Sequence, residues 1–320
     1  MRVSVLGCGR WGTFLGYYAS KKYDVTIWGR ENSKHLEQLK NERKNEYLTL
    51  PDNVQLTSDL ALALKSDVII ISILSKEFGG LVEEIVKHDI KNKKFVLCMK
   101  GMEADTGKRL SEVAIEKGID KNQVAIWVGP GHVQNFVNGV PNCMLIDAYN
   151  TNLAKEIVDI FSSNLIRFYI GTDIIGAEIG ASAKNVLGIA AGMLDGLNIS
   201  CLKGALMARG TREVSRLVQA MGGKAITPYG LSHLGDFEAT LFSEFSQNRK
   251  FGESFIKGEK FEKSAEGVGN IKALLVLAKK HNIEMPITSA LYEIIYNHKN
   301  PQEELKAIFG RSLKYEFDGI

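Results

Sequence analysis

Cysteine is scarce. The four in 320 residues, Cys8, Cys98, Cys143 and Cys201, lie in apolar strands or beside glycine, without the close spacing of a metal knuckle or a redox pair. They read as reduced packing residues. No grouping of His, Asp, Glu and Cys has ligand spacing, so no metal is expected. Excess charge of one sign is missing too: a net +3 with 24% charged residues indicates no general attraction to nucleic acid. The basic run Lys91, Lys93, Lys94 reads as a wet turn before a strand. Long apolar runs are also missing. The longest, such as Val68 to Leu74, fall far short of the roughly 20 residues that span a bilayer. Strand and glycine turn occupy the N-terminus, leaving no room for a cleavable signal. No internal repeat or low-complexity segment is evident. The expectation is a soluble, cytoplasmic protein with no membrane insertion.

What is present starts at the first residues. Gly7, Gly9 and Gly12 follow the apolar strand Arg2-Val3-Ser4-Val5-Leu6 and lead into a helical pattern beginning near Trp11. This is a dinucleotide-binding fingerprint in its proper setting: Gly7 for the tight turn, Gly9 for close approach of a pyrophosphate, Gly12 for helix–sheet packing. The helix N-terminus offers N–H groups to phosphate. A second strand, Asp24 to Trp28, arrives at βαβ spacing and ends in Gly29-Arg30-Glu31. Arg30 permits a 2′-phosphate and hence NADP, while Glu31 keeps the free 2′-hydroxyl of NAD open.

Further strand candidates, Val54 to Thr57, Val68 to Ile73, Phe95 to Met99, Val124 to Val128, Cys143 to Asp147 and Ile166 to Ile170, alternate with amphipathic stretches. That rhythm predicts an α/β fold with a parallel, doubly wound sheet. Ligands bind beyond the carboxyl ends of such strands, which directs attention to Gly7–Gly12, Gly29 and Arg30, Ser75–Phe78, Lys100 and Gly101, and Gly129–Val133. Beyond Gly171 the pattern turns helical, so we expect a dinucleotide domain at 1–171 and a helical domain at 172–320. Helix candidates run from Thr172 to Leu197, Cys201 to Met221, Glu266 to His281 and Ile287 to Asn297, with a short one after Pro301.

The segment 175–192 is apolar on nearly every side, and Lys184 is its only base. Gly180, Ala181, Gly188 and Ala191 surround it, leaving a face stripped of bulk where another body can approach. Burial there lowers a lysine pKa and suits proton transfer. A structural lysine paired with an acid is the alternative. Lys100-Gly101 ends a strand at the ligand edge, and Leu234-Gly235-Asp236-Phe237-Glu238-Ala239-Thr240 and Ser246-Gln247-Asn248-Arg249 follow downstream. Asp236 can orient or neutralise a lysine, and the hydroxyl, amide and guanidinium groups can receive a polyol phosphate. With a dinucleotide fold, these groups suggest a small anionic carbonyl reduced by hydride. His132 and His233 adjoin the site and read as loop histidines, since lysine already fills the acid/base position.

With these residues in view, the chain resembles the bacterial NAD(P)-dependent glycerol-3-phosphate dehydrogenases over nearly its whole length. The motifs that carry the likeness are Gly7-Cys8-Gly9-Arg10-Trp11-Gly12-Thr13, Lys100-Gly101, Gly129-Pro130, Lys184-Asn185 with its small-residue helix, Leu234-Gly235-Asp236, Asn248-Arg249 and Glu266-Gly267-Val268. The resemblance implies a Rossmann domain joined to an all-helical domain, and reduction of dihydroxyacetone phosphate to sn-glycerol 3-phosphate with NAD(P)H for lipid or envelope synthesis. It implies Lys184 as general acid/base, with Lys100 touching cofactor and substrate. Asn185, Asp236, Ser246 and Asn248 would complete the substrate pocket, with Gly129 at its edge. Arg10, Trp11, Arg30, Val133 and Glu266 match cofactor positions, Phe78 matches an aromatic near the nicotinamide, and a homodimer is implied.

Two departures stand out. The family's Ser-Arg-Asn-Arg is Ser246-Gln247-Asn248-Arg249 here, so the arginine expected to reach phosphate and cofactor is an amide, a loss on the order of 1.5–3 kcal/mol unless Arg249 or Lys250 substitutes. Gly131 stands where the family commonly has serine. These motivate one alternative, a relative acting on another phosphorylated ketone or polyol. A second is a non-catalytic cofactor sensor, against which Lys184, Asn185, Lys100 and Asp236 argue.

Overall fold

The computed structural model describes residues 1–243, 245–312, 315 and 316. The chain forms two compact units, one of Met1–Met99 with Leu110–Ile174, the other of Lys100–Arg109 with Ile175–Ile320. Sequence pattern assigned 1–171 to a single domain. The structure instead attaches Lys100–Arg109, a ten-residue segment between the fifth strand and the next helix, to the helical unit.

In the first unit, short runs rich in branched and apolar side chains form strands β1 (Arg2–Leu6), β2 (Asp24–Trp28), β3 (Val54–Thr57), β4 (Val68–Ile71), β5 (Lys94–Leu97), β6 (Val124–Val128), β7 (Asn142–Ala148) and β8 (Ile166–Ile170). Helices α1 (Arg10–Ala19), α2 (Lys34–Glu42), α3 (Leu60–Ala63), α4 (Phe78–Ile85), α5 (Leu110–Glu116), α6 (Val133–Val137) and α7 (Thr151–Phe161) lie between them. Central strands covered on both faces read as unbroken apolar runs, as in Val68-Ile69-Ile70-Ile71, all fully buried. The sheet order is β3-β2-β1-β4-β5-β6-β7-β8. Direction of winding reverses between β1 and β4, whose registers pair Val3 with Val68 and Leu6 with Ile71. Their carboxyl ends therefore form the switch point at which such sheets take ligands.

Two strands, β7 and β8, depart from the all-parallel expectation. β7 runs antiparallel to β6, pairing Ala125 with Ala148 and Val128 with Leu145, and β8 is parallel to β7. The connection through the five-residue α6 brings the chain straight back beside β6, whereas the eleven-residue α7 makes a crossover. Aromatic rings fill the core: Trp127 meets Phe168 edge-on at 4.8 Å, and Phe14 stacks on Phe136 at 5.2 Å.

The second unit contains α8 (Ile174–Gly196), whose first residue still belongs to the first unit, α9 (Lys203–Ala220), α10 (Asp236–Phe242), α11 (Gln247–Lys257), α12 (Glu266–Lys280), α13 (Pro286–Tyr296) and α14 (Pro301–Phe309). By length and composition α8 could cross a membrane, its most apolar 18-residue window reaching a mean hydropathy of 1.2. The expectation that every apolar stretch is too short is thereby corrected. However, 94% of that window is buried within the protein, which makes α8 a core helix. The bodies that approach its small-residue face are the chain's own helices. A Cβ on Gly192 would stand 1.9 Å from the Arg249 carbonyl oxygen, and one on Gly252 would stand 2.1 Å from that of Ile189, so α8 and α11 meet backbone to backbone. Gly267 lets α12 approach in the same way, against the Asn185 carbonyl.

Candidate active site

In the first unit the three fingerprint glycines have three different surroundings. Gly7 sits at φ +126°, and a Cβ there would be 2.0 Å from the Ser72 carbonyl oxygen. A Cβ on Gly12 would be 2.0 Å from the Gly7 carbonyl oxygen, so the first turn of α1 packs directly on the loop. Gly9 has no atom within 4 Å of a Cβ position and precedes α1 without any side-chain cap. This open cradle at an uncapped helix N-terminus fits a dinucleotide pyrophosphate. Arg10 lies 5.9 Å from the Tyr47 ring centroid, and Trp11 packs 5.3 Å from Phe14 and 6.1 Å from Phe136. Exposed Arg30 pairs with Glu77 at 2.9 Å, which holds the Glu77 carboxyl below its ordinary range. Phe78 and Val133 are buried within the unit.

Gly131 has a packing reason. A Cβ at that position would fall 2.3 Å from Cε2 of Phe136, the ring that stacks on Phe14. The missing side chain accommodates an aromatic, which sequence alone reads only as a lost hydroxyl. Gly129, at φ +123°, turns the chain out of β6.

In the second unit the lysines converge on one carboxylate. Nζ of Lys100 donates to Oδ2 of Asp236 at 2.5 Å, and Nζ of Lys184 lies 3.2 Å from Oδ1. Lys184 also donates to Oγ1 of Thr240 at 3.0 Å, and that hydroxyl donates to the Asp236 carbonyl at 2.8 Å. Asp236 and Thr240 are four residues apart on α10 and so share one face, and together they engage two of the three N–H groups of Lys184. Burial lowers the Lys184 pKa to about 8, the Lys100 charge adding to the fall while Asp236 and, more weakly, Glu266 oppose it. Burial resists ionisation of Asp236, yet the two ammonium groups together hold its carboxyl below the ordinary value.

A chain of amides surrounds the cluster. Nδ2 of Asn185 donates to the Lys100 carbonyl at 3.0 Å, Nδ2 of Asn248 to Oδ1 of Asn185 at 3.0 Å, and the Gly267 N–H to Oδ1 of Asn248 at 3.0 Å. Asn270 of α12 donates to the carbonyls of Lys100 and Ser182, both at 3.1 Å. Ser246 caps α11 by accepting from the Arg249 N–H at 3.3 Å. Arg249 does not stand in for the missing arginine: its guanidinium is held by Asp195 at 2.5 Å and Glu253 at 3.4 Å, with Nε on the Ser243 carbonyl. Among the described residues Gln247 reaches only the Phe245 carbonyl, at 3.4 Å, and its Oε1 is buried without a hydrogen-bond partner there. His233 is fully buried, with Nδ1 2.9 Å from the Gly180 carbonyl. Burial pushes its pKa down to about 4 and keeps it neutral at physiological pH. His132 immediately precedes α6. Among the described residues no group of three or more His, Cys, Asp and Glu is placed to hold a metal. Asn270 is not singled out by the sequence, and Thr240 stands there only as the end of the run from Leu234, without a role of its own. The i, i+4 spacing of Thr240 from Asp236 was the available signal, and Asn270 offered none beyond a polar residue in an apolar helix.

A switch-point sheet that opens on a glycine cradle, in a chain that continues into a helical unit holding a depressed lysine, is the architecture of a nicotinamide-dinucleotide dehydrogenase. Comparison with known proteins narrows the class. Residues 2–154 match the family model for the N-terminus of NAD-dependent glycerol-3-phosphate dehydrogenase, and residues 173–306 match that for its C-terminus. The glycerol-3-phosphate dehydrogenase [NAD(P)+] of Prosthecochloris aestuarii is 34% identical over 99% of this chain and 100% of its own. That of a Thermoanaerobacter species is 33% identical over the whole of both. The crystal structure of glycerol-3-phosphate dehydrogenase from Coxiella burnetii superposes with a TM-score of 0.90 at 29% identity, covering 97% of this chain and 99% of that one. The chain belongs to the NAD-dependent glycerol-3-phosphate dehydrogenase family.

Proposed function

We propose that this chain reduces dihydroxyacetone phosphate to sn-glycerol 3-phosphate, reversibly, as a cytoplasmic homodimer feeding glycerophospholipid or envelope synthesis. The observation that carries the reading is Lys184, an ammonium whose pKa of about 8 lies close to neutrality and which is oriented by Asp236 and Thr240. When bound, the reduced nicotinamide supplies hydride to the ketone carbon. Nζ of Lys184 hydrogen-bonds the carbonyl oxygen, stabilises the negative charge that develops there, and gives it a proton. Below about pH 8 Lys184 carries that proton. Above it, the neutral amine can accept one from the alcohol, which serves the reverse reaction. Asp236 holds the two ammonium groups in place, and Lys100 adds a second positive charge for an anionic substrate. Asn185, Ser246, Gln247, Asn248, Gly129 and Gly131 would shape substrate recognition. Gly7, Gly9, Gly12, Arg10, Trp11 and Arg30 would hold the dinucleotide, with Phe78, Val133, Gln247 and Glu266 as further cofactor positions.

A second substrate remains in contention. With Arg249 committed to Asp195 and an amide at Gln247, neither position supplies the cation that the family resemblance implies for phosphate, which favours another phosphorylated ketone or polyol. Steady-state kinetics with triose, ketopentose and ketohexose phosphates, each with NADH and NADPH, decides between them. A highest kcat/KM on dihydroxyacetone phosphate supports the first reading, and poor turnover of the triose alone supports the second. Lys184→Ala should lower kcat by about 10²–10⁴ while NAD(P)H still binds. Wild-type protein that binds cofactor but oxidises NAD(P)H with no ketone would be a sensor.

A further inference from the structure

Two side-chain amides from different helices meet on a single backbone carbonyl, that of Lys100. One is Asn185 of α8, a residue already assigned to the substrate pocket. The other is Asn270 of α12, only 2% exposed, which spends one N–H on Lys100 and the other on Ser182, two residues before Lys184. One nitrogen with two hydrogens can bridge two carbonyl oxygens in this way. Aspartate would set oxygen against oxygen at both contacts, and leucine, of nearly the same size, would leave two buried acceptors without these donors. The far end of the segment is tied to α8 as well: the Arg109–Glu178 ion pair, 2.7 Å long, is buried. Between these anchors the chain turns back on itself through the Met102–Arg109 bridge.

We propose that Asn270 is a positioning residue for the reaction: by clamping the backbone of Lys100 to the turn of α8 that carries Lys184, it sets where the Lys100 ammonium meets Asp236. The groups around Lys184 are Asp236 on α10, Lys100 on the 100–109 segment, Glu266 on α12 and neutral His233 on the turn before α10. Loosening Lys100 withdraws a like charge from Lys184 and leaves Asp236 to pair with it alone. Both changes favour the ammonium form of Lys184 and raise its titration point.

The kinetic consequence rests on the proposed reaction, so the first measurement needs no turnover. Acetylation of the full-length protein with acetic anhydride over a pH series, read lysine by lysine by mass spectrometry, should show Lys100 reacting about two- to ten-fold faster in Asn270→Leu, relative to exposed Lys260. The Lys184 midpoint should move upward from about 8. Unchanged reactivity at both lysines overturns the inference whatever the activity. In the kinetic arm, Asn270→Leu should cost kcat/KM for dihydroxyacetone phosphate about two- to ten-fold, and the cost should vanish in a Lys100→Met background. Additive losses would mean that Asn270 acts elsewhere and would overturn it. Should Asn270→Leu fail to fold, Asn270→Ser, which retains one donor, is expected to show the same changes in smaller measure, and their absence is equally fatal. A wild-type enzyme inert toward the triose phosphate whose lysines nonetheless respond to Asn270→Leu would remove the substrate assignment and leave the clamp standing.

Discussion

Asp236→Asn keeps the shape of the side chain and removes the charge that both lysines touch. Two unit charges 3.2 Å apart attract by roughly 5 kcal/mol at an effective dielectric of about 20, and about 1.4 kcal/mol corresponds to one pKa unit. Solvent and the remaining amide dipole recover part of that attraction. Even a third of it, once lost, brings Lys184 from about 8 to about 7 or below, because an ammonium stripped of its counter-charge in a buried site gives up its proton more readily. At pH 8 the protonated fraction then falls from about one half to about one tenth or less. The assay is the pH dependence of kcat for ketone reduction, followed by loss of NAD(P)H absorbance. Cofactor affinity and circular dichroism serve as controls for folding. The alkaline limb should move at least one unit toward acid, with the wild-type rate partly regained at lower pH. A folded variant that binds cofactor normally and keeps its alkaline limb at about 8 would refute the electrostatic account of the cluster.

Other perturbations test separate links. Lys184 titrates lower in the folded protein, at about 8, than its ordinary 10.5. The unfolded chain therefore binds more protons between those values, and this group's contribution to stability rises with pH across that window. Urea unfolding at pH 8 and pH 10 should show the rise in wild type and a smaller one in Lys184→Met. Gly131→Ser drives a Cβ into the Phe136 ring, so it should destabilise the protein by about 1–3 kcal/mol in thermal or urea denaturation. Combining it with Phe136→Ala should remove the clash contribution while leaving the cost of the lost ring. Gln247→Arg should raise kcat/KM for dihydroxyacetone phosphate by about ten-fold with little change in Lys184 titration. A fall would show that Gln247 matches this chain's substrate better than a cation does.

Much of the first unit was legible because its information is local. Short apolar runs bounded by glycine and charge identify strands, and the three glycines after β1 announce their turn whatever surrounds them. Strand direction is not local: nothing in Asn142–Ala148 distinguishes an antiparallel β7 from a parallel one, and only the short α6 decides it. The stretch between α9 and α12 was harder still. α10 has only seven residues, α11 begins with four polar ones, and both pack against glycines of α8 far away in sequence. Lys184, Lys100 and Asp236 could be named because ionisable groups stand out in apolar or glycine-rich contexts. Their mutual distances could not, and neither could the direction of Arg249, whose partner Asp195 lies 54 positions away. Asn270 was silent for the same reason, its two acceptors being 170 and 88 residues distant.

The excursion of Lys100–Arg109 out of the sheet unit sets a limit on dissection. A cut near residue 172 looks natural on the linear map, yet it would strand one of the cluster's two cations on the discarded piece. An excised C-terminal half would keep Asp236 buried with Lys184 alone and would lose the carbonyl that Asn185 and Asn270 both grip. The helical unit thus draws ten of its residues from within the sequence span of the other, and the two must be inherited, expressed and engineered together.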